Sequence, residues 1–194
     1  MMTSNRALQI SKLGVLTAVA FAVAALAHAA DAKASSPAAP RSLGDPEIVQ
    51  YVLDAESYEQ QASEVAKNKA STPAVRQLAD HLGADHSALD QEFRSLGLPA
   101  KDSDLGEELT ARSQERLGWL HKLRGDKFEE AYVDYEVNFH NSVLATLDQV
   151  LLQDATDSAL EARLQELRSK MTAHLAEVER VKDTTERRMI REIP

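Results

Sequence analysis

The chain has 194 residues, no cysteine, and 22 basic against 31 acidic side chains, giving a formal net charge of −9. An acid excess of this size argues against nucleic acid or anionic lipid as partners, since both would repel it. Without cysteine there is no disulfide and no lipid-modified N-terminal thiol, so the fold must be held by its own core.

Arg6 and Lys12 flank the start of an uncharged apolar run from Leu13 to Leu26, and Ala27-His28-Ala29 puts small residues where a signal peptidase cuts. Residues 1–29 are therefore expected to be a signal peptide cleaved near Ala29, which would deliver the chain to the periplasm. The run is shorter than the roughly 20 residues a spanning helix needs, so no membrane span is expected in the mature protein. Residues 30–44, ADAKASSPAAPRSLG, lack periodicity and read as a flexible leader.

From Asp45 onward the pattern is helical throughout. Asp45-Pro46 reads as an N-cap and first-turn proline, and Ile48, Val52, Ala55, Ala62 and Ala66 mark one face as far as about Ala70. A second helix opens at Pro73, carries Val75, Ala79, Leu82, Leu89, Phe93 and Leu96, and stops at Gly97-Leu98-Pro99. A shorter, more polar helix begins at Asp104 and runs to Leu123. A long fourth segment follows Gly125-Asp126 to about Asp154, with two apolar stripes that imply deep burial. Asp157-Ser158 caps the last helix, whose stripe runs from Leu160 to Val181. The residues from Thr184 on, TTERRMIREIP, have no such stripe and read as a loose charged tail. The domain is thus expected over 45–183 and the tail over 184–194. The short links make the first two helices an antiparallel pair, and likewise the last two. The 105–123 helix can carry the chain back along the bundle, which makes an all-α, ferritin-like four-helix bundle with one crossover the expected fold. An up-down bundle of five helices is the alternative.

Each of the four long stripes is interrupted once near its middle by a residue able to bind a metal. Glu59 falls between Ala55 and Ala62, His86 between Leu82 and Leu89, His140 between Val137 and Leu144, and His174 between Met171 and Val178. All four are expected to point inward, and their mid-helix positions put them in one layer whichever way each helix runs. Such a set could hold one zinc, copper, nickel or iron ion, either closed or with a position left for water. The same residues could equally satisfy one another as a buried polar network without any ion. Asp85, Glu136 and Glu177 are candidates to support the histidines from behind, with an exposed surface role as the plainer reading of each, and Tyr132 could donate a hydrogen bond into the layer. The Glu-x-x-His pairs of dinuclear carboxylate sites are absent, because Gly83, Val137 and Met171 stand three residues before the inward histidines.

The runs SEVAKNKASTPAVRQLADHLGADHSAL, FEEAYVDYEVNFH and MTAHLAEVER resemble the exported bacterial family known as domain of unknown function 4142. Its landmarks fall on Glu59, on Asp85 with His86, on Phe128 with Tyr132 and His140, and on His174. Ser169 and Glu129 stand where that family commonly has proline and aspartate. The resemblance implies a ferritin-like fold and a periplasmic or envelope setting, and members are often labelled outer-membrane proteins; no reaction comes with it. No phosphate loop, nucleophile elbow or basic cluster with interleaved aromatics is present, so an enzyme is not the expected reading. Two functions lead: binding of one transition-metal ion for storage, buffering or stress protection, or a metal-free envelope protein acting through protein or cell-wall contact; weak redox catalysis is the third. The oligomeric state is left open.

Overall fold

A computed structural model describes residues 42–192 of the chain. The expected signal peptide and nearly all of the leader lie outside the described residues. Among the described residues every element is helical, and no helix is long and apolar enough to cross a membrane.

Helix α1 (Asp45–Lys69) starts one residue earlier than its cap was expected to allow. Gly44 is the N-cap, its N–H donating to Glu47 Oε2 at 2.9 Å, and Asp45 is already helical. The Asp45 carboxylate is thereby free to make tertiary contacts, and it accepts from Thr156 N at 2.8 Å and from Asp157 N at 3.1 Å, at the start of the last helix. A three-residue link leads to α2 (Pro73–Ser95), whose N-cap Thr72 accepts from Val75 N at 3.4 Å. So short a link forces α1 and α2 antiparallel. Gly97 then turns the chain at φ 66°, a left-handed conformation that suits glycine.

Helix α3 (Asp104–Leu120) is capped by Ser103, which accepts from Gly106 N at 3.2 Å. It lies along α1 and ends where α1 ends. There Lys69 Nζ donates to the carbonyls of Leu120 and Leu123, each at 3.1 Å, and to that of His121. A lysine is well placed at that terminus, where the last carbonyls lack helical partners. Helix α4 (Asp126–Thr146) continues through a π-helical turn (Leu147–Leu151) into one further α turn, α5 (Leu152–Asp154). Helix α6 (Ser158–Glu192) opens on Asp157, whose Oδ1 accepts from Ala159 N and Leu160 N at 2.9 Å.

The helix ends fix the directions. Leu43 N donates to Asp154 at 2.8 Å, so α1 begins where α4 finishes. At the other end Glu129, in the first turn of α4, accepts from Ser71 N at 2.8 Å and Thr72 N at 2.6 Å, in the α1–α2 link. Helices α2 and α4 therefore run parallel, and α3 is the crossover that makes this possible. Leu82, Leu89, Leu147, Leu160 and Leu164 are fully buried between the four long helices, each contributing about 1.5–3 kcal/mol of burial.

One expectation is corrected. Residues 184–192 are not a loose tail but the last turns of α6, with Thr185 buried. Ion pairs do there what an apolar stripe does elsewhere. Lys182 pairs with Glu186 at 2.9 Å and Arg187 with Asp183 at 3.1 Å, both one turn apart, and Arg188 reaches Asp126 at 2.7 Å and Glu129 at 3.0 Å.

Glu129 thus joins α4, the α1–α2 link and the end of α6 through one fully buried carboxylate. Glu129→Ala is expected to destabilise the protein by about 2 kcal/mol, because two backbone N–H groups and Arg188 lose their acceptor. Urea unfolding followed by circular dichroism measures this, and a loss under about 0.5 kcal/mol would contradict the clamp.

Candidate metal centre

The four interrupted stripes meet. Helix α1 supplies Glu59, α2 His86, α4 His140 and α6 His174, and all four are buried. The imidazole centroids form a near-equilateral triangle: 5.7 Å from His86 to His140, 5.1 Å from His86 to His174 and 5.6 Å from His140 to His174. Glu59 Oε2 lies 3.6 Å from His86 Nε2.

Each imidazole is anchored through one nitrogen and bare at the other. His86 Nδ1 donates to Glu56 Oε2 at 2.7 Å, His140 Nδ1 to the backbone carbonyl of Glu136 at 2.8 Å, and His174 Nε2 to Asp85 Oδ2 at 3.0 Å, taking the tautomers these acceptors require. The remaining nitrogens, Nε2 of His86, Nε2 of His140 and Nδ1 of His174, have no hydrogen-bond partner among the described residues. A ligand atom from each of the three histidines comes within 4.8 Å of the others, and a second such group joins His140 to the carboxylates of Glu59 and Glu136. Anchoring the far nitrogen is the usual way an imidazole is oriented toward a metal.

Burial sets the charge of the layer. It pulls His86 and His140 down to about 3, so both are neutral with lone pairs available. It lowers His174 too, against the opposing pull of Asp85. The carboxyls move the other way. Burial pushes Glu136 up to about 7 and raises Glu59 well above the carboxylate range, helped by the neighbouring Glu136 charge. Glu56 is likewise raised by burial.

The supporting residues sort differently from the sequence reading. Asp85 supports His174 across the α2–α6 contact, not its sequence neighbour His86. Glu136 is not a surface acid: its carboxyl is fully buried within the layer, and its backbone carbonyl is what holds His140. Tyr132 is fully buried with its hydroxyl beside Glu136 and Ser63. Glu177 does not reach the centre; it pairs with His81 at 2.8 Å. Sequence reasoning passed over Glu56 and His81. Glu56 sits three residues before Glu59, a spacing that places both on one helical face. His81 stands between Glu177 and Asp85 with its ring centroid 5.9 Å from His174, which links the layer to the surface.

A helical bundle that gathers inward side chains from facing helices into one layer is a class of protein in which metal and cofactor sites are commonly built. The chain belongs to the family described as domain of unknown function (DUF4142), whose model matches residues 25–181. That span contains every residue of the layer and agrees with the resemblance read from the motifs. No curated protein and no solved structure matches the chain.

The two sets of shifted groups oppose each other in their effect on stability. Between about pH 3 and the unfolded histidine value of 6.5, folded His86 and His140 bind fewer protons than unfolded, so their contribution rises with pH. Above the unfolded glutamate value of 4.5 the folded carboxyls bind more protons than unfolded, so theirs falls, and for Glu136 it falls through about 7. Past pH 6.5 only the loss remains. The metal-free protein is expected to unfold at lower urea at pH 8.5 than at pH 6.5, with Glu136→Gln reducing the difference. A midpoint that rises over this interval would contradict buried, protonated carboxyls.

Proposed function

We propose that this protein binds one transition-metal ion at the layer formed by Glu59, His86, His140 and His174, and serves metal storage, buffering or stress protection in the exported compartment rather than turnover. The observation that carries this reading is the convergence of three buried imidazole nitrogens that have no hydrogen-bond partner among the described residues, each on a ring fixed from behind by an acceptor. A metal-free polar network would use those nitrogens to satisfy one another or the carboxyls. Among the described residues no hydrogen bond reaches the three nitrogens, Glu59 Oε2 standing 3.6 Å from His86 Nε2, and a buried polar atom left unpaired costs about 1–3 kcal/mol.

The residues suit an ion chemically. Neutral imidazoles need lose no proton on binding, and Glu59 can exchange its proton for the cation, so uptake releases acid. Three nitrogens and a carboxylate favour zinc, copper, nickel or iron over magnesium or calcium. Met171, one turn before His174, is buried in the core, where its thioether packs as an apolar group.

One feature supports the other reading, an envelope protein that acts through contact. Trp119 on α3 is 44% exposed, beside a groove of about 310 Å³ that Leu109, Ala131 and Phe139 help to line.

Elemental analysis of the mature chain purified without a histidine tag is expected to find close to one transition-metal ion per chain, lost in the double variant His86→Ala, His140→Ala. Re-adding the ion at about 100 times its dissociation constant should stabilise the protein by about 2.7 kcal/mol, readable as a rise in Tm. No metal, and no stabilisation by zinc, copper, nickel or iron, would overturn the reading and leave the contact surface as the function.

A further inference from the structure

The histidine triangle does not use up the buried donors around it. Both carboxyl oxygens of Glu59, both of Glu136, and the hydroxyls of Ser63, Tyr132 and Tyr135 have no hydrogen-bond partner among the described residues. They belong to two facing helices. Glu59 and Ser63 are one turn apart on α1, and Tyr132 and Glu136 are one turn apart on α4. Looser side-chain contacts, short of ordinary hydrogen-bond geometry, join Glu59 to Tyr135 and Glu136, and Tyr132 to Glu136 and Ser63. All five residues are at least nine-tenths buried. The two carboxylates and His140 come within 4.8 Å of one another.

One ion cannot use both groups fully. His140 Nδ1 donates to the Glu136 carbonyl at 2.8 Å, so the ring has a single lone pair, at Nε2, and that serves one ion. An ion at the histidine triangle therefore takes His140 and leaves the Glu136 carboxylate and three hydroxyls joined only by their looser contacts with one another and with Glu59.

We propose that Glu59, Glu136, Ser63, Tyr132 and Tyr135 form a second cation site beside the histidine site, with Glu59 bridging the two. This rests on the metal-binding reading above. Its donors are all oxygen, two carboxylates and three hydroxyls, which suits a hard divalent cation of the manganese type better than copper or nickel. The nitrogen-rich site and the oxygen-rich site therefore prefer different ions, and the centre is built for two unlike cations.

The test uses the full mature chain, stripped of metal and loaded with one equivalent of zinc, then titrated with manganese while the electron paramagnetic resonance signal of free Mn²⁺ is followed. One additional manganese per chain is expected. In the double variant Glu136→Gln, Tyr132→Phe, manganese should bind at least about tenfold more weakly while zinc stays at one per chain, because the backbone carbonyl that holds His140 is unchanged. Retained zinc binding shows that the variant is folded; if it is lost, Ser63→Ala, which removes only a hydroxyl, is used instead and should also weaken manganese. Zinc bound with no manganese in the unmutated protein would overturn the second site and leave the first standing. Two zinc ions with no manganese would overturn the hard-donor assignment, and undiminished manganese in the variants would overturn the ligand set. Binding of neither ion would remove the underlying reading as well.

Discussion

Three imidazoles and three carboxyls, His86, His140, His174, Glu56, Glu59 and Glu136, are buried at one level of an apolar bundle. Ionised and unpaired, each would cost several kcal/mol. The imidazoles remain there because they are neutral and because each gives one N–H to an acceptor. Two of those acceptors come from a different helix: Glu56 on α1 receives His86 of α2, and Asp85 on α2 receives His174 of α6. The polar layer is therefore also a set of cross-helix hydrogen bonds, and each one fixes how far a helix is rotated about its axis.

Rotation alone would not bring the layer together; the helices must also stand at the right height. One residue of axial slide moves a side chain by about 1.5 Å, enough to break a hydrogen bond. The heights are set at the helix ends by charged side chains rather than by the core. Asp45 and Asp154 lock the start of α1 to the turn before α6, and Glu129 locks the start of α4 to the α1–α2 link. Lys69 closes the end of α3 against the end of α1. The crossover helix follows from the same geometry, since it lets α2 and α4 run parallel and present His86 and His140 from the two sides of the layer.

The layer sets binding against stability. Buried polar atoms left unpaired would weaken the bundle without an ion, and the same atoms would gain most from a cation, because in a dry interior its field is little screened. Glu136 shows how closely the two are joined. Its backbone carbonyl orients His140 while its carboxyl stands ready on the oxygen side, so one residue serves a nitrogen ligand with its main chain and an oxygen cluster with its side chain.

Apolar periodicity by itself determined the helices, their order, and the four inward residues at 59, 86, 140 and 174, because a stripe with one polar interruption states which way that residue faces on its own helix. Membership of the family was also readable from three short runs, and the family match over residues 25–181 agrees with it. Which atom each inward residue meets was decided only by the tertiary structure. Glu56 and Glu136 carry spacings in the sequence that many surface acids share, so nothing local separates a buried carboxyl from a solvated one. Asp85 sits next to His86 in the chain yet serves His174, and Asp45 looks like a helix cap yet binds residues 111 positions away. The last turns of α6 have no stripe to read, and the ion pairs of Arg188 with Asp126 and Glu129 hold them. In each case the missing quantity is the axial register between helices. That register is fixed by contacts between distant residues, whereas periodicity records only the angle around one helix.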